Sequence, residues 1–171
     1  ATRSPARVSV SGYAHVPGAK AHQRLIDERA LPDAATRLLL EATMRAALED
    51  AGYVPIGLDH FARPDDPLTK AARGGWLRRN FQGYTTDTAD ALIGIGASSI
   101  GKLPDGYVAN AADVGGWRRA VEADRLPVVR GFALTNEDRL RGAVIEQLMT
   151  NYSVDFADPE LARFGDALAL L

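Results

Sequence analysis

Between Arg7 and Leu58 the chain reads as a strand, a helix and a second strand, and that order limits the fold more than any other feature of the sequence. Arg7–Tyr13 (RVSVSGY) alternates Val8 and Val10 with Ser9 and Ser11, the period of an extended segment with one covered face. Ala14-His15-Val16-Pro17-Gly18 ends it, because proline and glycine do not continue a ladder. His22 to Ala30 reads as a short helix. From Asp33, which suits an N-cap, Ala35, Leu38, Leu39, Ala42 and Ala46 recur at helical spacing until Gly52 stops the run. Val54, Ile56 and Leu58 then suit a strand again. A helix of about 18 residues between two strands makes a βαβ unit, in which the strands are expected to be parallel.

The stretch from Gly57 to Gly101 joins that second strand to a third apolar run, Leu92–Ala97, through a polar loop holding Asp59, His60, Arg63, Asp65, Asp66, Asn80, Gln82 and Tyr84. Pro67–Arg73 reads as a short helix closed by Gly74-Gly75, and Asp65-Asp66 ahead of Pro67 reads as its cap more readily than as a catalytic carboxylate pair. In parallel α/β architectures ligands meet the loops at the carboxyl ends of strands. That rule gathers Tyr13-Ala14-His15, Asp59-His60-Phe61 and Ser98-Ser99-Ile100 on one rim, with the loop of Asn80-Phe81-Gln82 beside it. His15 and His60 each follow a strand, where a histidine serves as general acid, base or ligand, or simply bonds a loop carbonyl. Gly94-x-Gly96 lies inside the third run with no helix start behind it, so it is a poor dinucleotide fingerprint. No P-loop, zinc signature or Ser–His–Asp spacing is present. Residue chemistry alone gives a rim and no reaction.

Further along, Asn110 suits the cap of a helix from Ala111 to Ala123 with Val114, Trp117 and Val121 inward. Thr135-Asn136-Glu137-Asp138 fits a capping box that opens a helix to about Thr150. A last helix is expected from Asp158, with Leu161, Phe164, Leu168 and Leu171 as its stripe. A composition shift near Arg125–Phe132 separates an α/β part, 1–124, from the start of a helical part, 125–171. A net charge of −2 leaves no footprint for nucleic acid or an anionic membrane. No apolar run reaches the ~20 residues of a membrane span, so a cytoplasmic location is expected. The chain lacks an initiator Met and ends on a helical run, which suggests a piece of a longer protein. It contains no Cys, hence no disulfide, thiolate nucleophile or Cys-ligated cluster of its own.

The wording of the motifs says more than their periodicity. GYAHVP (12–17), GLDHFARPDDPL (57–68), LRRNFQGYTT (77–86), LIGIGASSIG (92–101) and RGFALTNEDRLRGAVIEQLM (130–149) together closely resemble the oxygen-independent coproporphyrinogen III oxidases, or coproporphyrinogen dehydrogenases, along essentially the whole chain. The resemblance implies a radical S-adenosylmethionine oxidoreductase of haem biosynthesis that oxidatively decarboxylates two propionates of coproporphyrinogen III to vinyl groups, giving protoporphyrinogen IX. It implies an α/β fold: the C-terminal part of a partial TIM-like barrel, followed by the start of a mainly helical domain. The family's CxxxCxxC motif holds a 4Fe-4S cluster, so its ligands are expected outside this chain, and the fragment is expected to be inactive and to hold no catalytic residue or metal. By position, Ala14 and Ile100 resemble the apolar residues that pack on S-adenosylmethionine, and Phe81 and Gln82 those near a second such molecule or the substrate. The resemblance assigns no role to His60 and Arg63. Their place on the rim and the four carboxylates of coproporphyrinogen suggest that they hold propionates.

The radical S-adenosylmethionine haem chaperones share the barrel, but they continue an NFARPG block into a His-Asn segment. HFARPDD followed by RNFQGYTT favours the dehydrogenase. A free-standing, non-catalytic binding module is the reading from another class. Half a barrel also leaves a strand edge and an apolar face uncovered, so self-association through that edge is expected.

Overall fold

The computed structural model describes residues 4–157 and 159–165, which fall into two units, Ala1–Leu77 and Arg78–Leu171. The boundary expected at 124/125 lies inside the second unit.

In the first unit the chain forms β1 (Arg7–Ser9), two single 3-10 turns at Ala21–Leu25 and Glu28–Ala30, α1 (Ala34–Asp50), β2 (Val54–Ile56), β3 (His60–Ala62) and α2 (Pro67–Gly74). Helix α1 begins where Asp33 accepts the Thr36 N–H at 2.8 Å. It ends where Gly52, at φ +86°, turns the chain so that the Tyr53 N–H reaches the Leu48 carbonyl at 3.0 Å. The strand–helix–strand order is therefore real. Its pairing differs from the expectation, because the sheet runs β1-β3-β2 with both pairings antiparallel. β1 and β2 point the same way, but β3 lies between them. Gly57, at φ +57°, reverses the chain directly after β2, and Phe61 and Ala62, expected in or beside a strand-end loop, are buried in the strand that returns.

Ile56, Ala62, Leu68, Thr69 and Ala71 form the centre of this unit, and α2 presents Leu68, Thr69 and Ala71 to it. Asp66 caps α2 by accepting the Leu68 N–H at 2.8 Å, with Pro67 at the first helical position and Gly75, at φ +72°, closing the helix. The same carboxylate takes the Arg7 Nε–H at 2.9 and 3.1 Å. Burial pushes the Asp66 carboxyl up, but the hydrogen bonds from Arg7 and Leu68 and the charges of Arg7 and Lys70 outweigh it and leave the group below its ordinary 3.8. A depressed carboxylate stabilises the fold above its ordinary pKa, and that stability is lost as the pH falls through the folded value. We therefore expect the urea midpoint of this unit to drop on acidification from about pH 5 to about pH 2.5, and Asp66→Asn to flatten that limb while costing roughly 1 kcal/mol at neutral pH. An unchanged acid limb in the variant would exclude Asp66 as its source.

Helix α1 keeps no residue buried: Leu38 and Leu39 are 70% and 67% exposed, and Leu40 and Met44 are also exposed. The apolar spacing read in the sequence forms a stripe that nothing among the described residues covers.

The second unit contains a hairpin, β4 (Arg78–Asn80) and β5 (Gly83–Thr85), then β6 (Ile100–Leu103), β7 (Gly106–Asn110), α3 (Val114–Glu122), β8 (Val128–Ala133), α4 (Asn136–Asn151) and α5 (Pro159–Ala162). β6, β7 and β8 form an antiparallel sheet in chain order. The hairpin is lashed to α4 by an Arg78–Glu146 ion pair at 2.8 Å and by the Tyr84 hydroxyl, which donates to the Met149 carbonyl at 2.7 Å. Helix α4 opens with the expected capping box, Thr135 with Asp138. Leu161 of α5 is buried, as its stripe position implies, whereas Leu168 and Leu171 lie outside the described residues.

Two expectations fail here for physical reasons. The run Leu92–Ala97 is not a strand. Leu92 makes one bridge to Lys102, and the chain then bends through Gly96, at φ +102°, before β6 begins at Ile100. Asn110 does not cap a helix. It ends β7, and α3 starts four residues later, at Val114, under an Asp113 cap that accepts the Gly116 N–H at 2.5 Å.

Candidate functional site

Register in the first sheet decides where its candidate residues stand. Ser9 and Ile56 both lie opposite His60, so His60 sits where β1 and β2 reach their carboxyl ends, and the Val10 N–H bonds the Asp59 carbonyl at 2.8 Å. The His60 Nδ1 lies 2.7 Å from an Asp59 carboxylate oxygen, and the imidazole is 15% exposed. A carboxylate at that distance orients the ring. Arg63 lies at the other end of β3, where its N–H bonds the Ala6 carbonyl at 3.0 Å. Three residues of strand separate the two by about 10 Å. The Arg63 guanidinium is half exposed and only loosely matched, with Asp65 at 3.6 Å.

Ala14 follows β1 on an exposed loop whose shape is set by Gln23. That buried amide donates to the Ala14 carbonyl at 3.0 Å and accepts the Val16 N–H at 2.6 Å. His15 is held between the Tyr13 hydroxyl and Glu28, each at 3.1 Å. Nothing in the spacing around Gln23 distinguishes it from a surface glutamine, and sequence reasoning passed over it.

In the second unit, Phe81 and Gln82 are the two-residue turn of the β4–β5 hairpin. The Gln82 N–H donates to the Asn80 side chain at 2.8 Å, and the Phe81 ring, 54% exposed, meets Tyr107 edge-on at 5.2 Å. The turn borders a cavity of about 730 Å³ whose walls include Arg78, Phe81, Lys102, Tyr107, Arg139 and Glu146. Its volume and mixture of rings with paired and free charges fit a small-molecule site. Ile100 starts β6 opposite Ala109 and is half exposed, and Ile93 and Ile95 on the preceding bend are more exposed still. None of these three isoleucines lines the cavity, but exposed apolar side chains on a shaped loop suit the uncharged parts of a ligand.

Among the described residues no group of three or more His, Asp or Glu is placed to hold a metal ion, and with no Cys in the chain a 4Fe-4S cluster has no thiolate here. No helix among them is long and apolar enough to cross a membrane.

No protein-family model matches the chain. Individual relatives do. It is 51% identical over 91% of its length to the oxygen-independent coproporphyrinogen III oxidase of Bradyrhizobium diazoefficiens, 49% over 95% to that of Cereibacter sphaeroides, and 44% over 91% to that of Helicobacter pylori. The matched region is 34%, 36% and 34% of those proteins, so the chain spans about a third of their length. Among solved structures it superposes, at a TM-score of 0.83 and 39% identity, on the coproporphyrinogen III oxidase of Escherichia coli, described as a radical SAM enzyme, covering 97% of this chain and 39% of that one.

Proposed function

We propose, from the premise that this chain belongs to the family of the oxygen-independent coproporphyrinogen III oxidases, that the protein of which it forms part oxidatively decarboxylates coproporphyrinogen III to protoporphyrinogen IX. The observation that carries this reading is identity near one half over nine-tenths of the chain, joined to a fold match across almost all of it. In this reading S-adenosylmethionine, when bound, supplies the one-electron chemistry that opens a propionate C–H bond. The chain's own residues shape the surroundings. In the first unit Ala14 offers apolar surface to S-adenosylmethionine; in the second Ile100 does so, and the Phe81-Gln82 turn stands near a second such molecule or the substrate. His60, oriented by Asp59, and Arg63, about 10 Å away along β3, engage different propionates, which a tetrapyrrole carries on separate rings. The cluster ligands lie outside this chain, so the chain alone turns nothing over.

The test is anaerobic turnover of coproporphyrinogen III by the full-length protein with reconstituted cluster, run beside a haem-transfer assay. Divinyl product is the expected result. Haem transfer without decarboxylation would replace this reading with that of a haem chaperone. In the same protein Arg63→Ala is expected to raise KM for the porphyrinogen roughly tenfold through loss of one charge-assisted hydrogen-bonded contact, with KM for S-adenosylmethionine little changed. An unaltered porphyrinogen KM would remove Arg63 from the site.

A further inference from the structure

The bend between Leu92 and Gly101 is held in shape by one side chain from another strand. Asn110, at the end of β7, is 9% exposed. Its Nδ2 donates to the Gly94 carbonyl at 3.2 Å and to the Gly96 carbonyl at 2.9 Å, so both amide hydrogens are spent on the same loop. Its own N–H donates to the Ser99 carbonyl at 2.9 Å, and the Ser98 N–H reaches the Ala111 carbonyl at 2.8 Å. The β7–β8 register shifts between Ala109 and Asn110, and such a bulge re-aims the side chain beyond it. Gly94 is folded so closely onto the start of β6 that a Cβ there would lie 2.9 Å from the Ile100 carbonyl carbon. The bend therefore has no slack, and its far end is Ile100.

The choice of residue follows from the partners. Two carbonyls side by side need two hydrogens from one short, uncharged group, and a primary amide provides both. An aspartate would set its oxygens against two carbonyl dipoles, and an alanine would leave both acceptors beneath the bend without a partner.

We propose that Asn110 is a positioning residue: by tying down the Gly94 and Gly96 carbonyls it fixes the face that Ile100 presents to S-adenosylmethionine, and so sets affinity for that cofactor without touching it. This rests on the reading that Ile100 packs on the cofactor. The experiment uses the full-length protein with reconstituted cluster, and measures KM for S-adenosylmethionine and for coproporphyrinogen separately in Asn110→Ala, Asn110→Asp and Ile100→Ala. Kd for S-adenosylmethionine is measured in the same variants by equilibrium dialysis without porphyrinogen, and each Kd is expected to move as its KM does. Asn110→Ala is expected to raise KM for S-adenosylmethionine roughly tenfold, the worth of about one lost net hydrogen bond, while the porphyrinogen KM stays within about twofold. The nearly isosteric Asn110→Asp should show the same split if the alanine variant fails to fold. Equal loss of both affinities, or no loss of either, would overturn the inference. Ile100→Ala separates the two levels: an effect there with none at Asn110 overturns the positioning role alone, whereas no effect at Ile100 removes the cofactor contact on which it rests.

Discussion

Gly106→Ala is expected to lower the thermal midpoint of the second unit by about 6–12 °C, the equivalent of roughly 3 kcal/mol in a chain of this size. Gly106 opens β7 opposite Ala133 of β8. A Cβ built there runs into the carbonyl oxygen of Phe132 and comes within 3.1 Å of its carbonyl carbon. Both atoms are backbone in a paired strand, so no rotamer change relieves the clash and the two strands must part. Gly142, in α4, is the internal control, because a Cβ there meets nothing within 4 Å. Gly142→Ala is expected to stabilise by about 0.5–1 kcal/mol, since alanine loses less backbone freedom in a helix. Melting followed by far-ultraviolet circular dichroism reads both. A Gly106→Ala midpoint equal to that of the parent chain would mean that β7 and β8 do not pair as described.

Leu68→Ala should cost about 2–5 kcal/mol in the first unit. Leu68 is 1% exposed, on the face of α2 that packs against β2. The sheet beneath it has only short strands, with few alternative side chains to collapse into the space left. Urea unfolding followed through the fluorescence of Trp76, in the same unit, reports it. A midpoint shift equivalent to less than about 1 kcal/mol would show that the site relaxes around the missing methyl groups.

What the sequence made legible, and what it hid, divides along local and non-local lines. Asp33, Asp66 and Thr135 start their helices as read, because a cap is a contract between residues two or three apart. Gly52 and Gly75 stop theirs for the same reason. The β4–β5 hairpin looks like a plain loop in the sequence because its strands are short and its turn, Phe81-Gln82, lacks the usual glycine or asparagine pair. β7 and β8 stayed hidden because β7 is half buried throughout and β8 is exposed along its length, so neither shows alternation. Leu92–Ala97 looked like a strand because its residues are apolar, and the amide that prevents it comes from Asn110, well outside any window of periodicity. Ala14, Ile100, Phe81 and Gln82 come from motif resemblance, and His60 and Arg63 from their place beside strand ends. Gln23 and Asn110, which shape the loops bearing Ala14 and Ile100, act through backbone carbonyls and leave no pattern in the chain.

The guanidinium of Arg7 on the Asp66 cap has a kinetic side. The two residues are 59 positions apart, yet they share the carboxylate that begins α2. The Arg7 contact forms only when β1 joins the sheet and closes a loop of about 60 residues, whereas the Asp66–Leu68 bond that caps α2 is local and needs no such closure. Arg7→Ala is therefore expected to slow refolding of this unit only if the pair forms early. In the folded chain an eight-residue helix that looks local in the sequence carries at its first turn a contact to the strand that comes first.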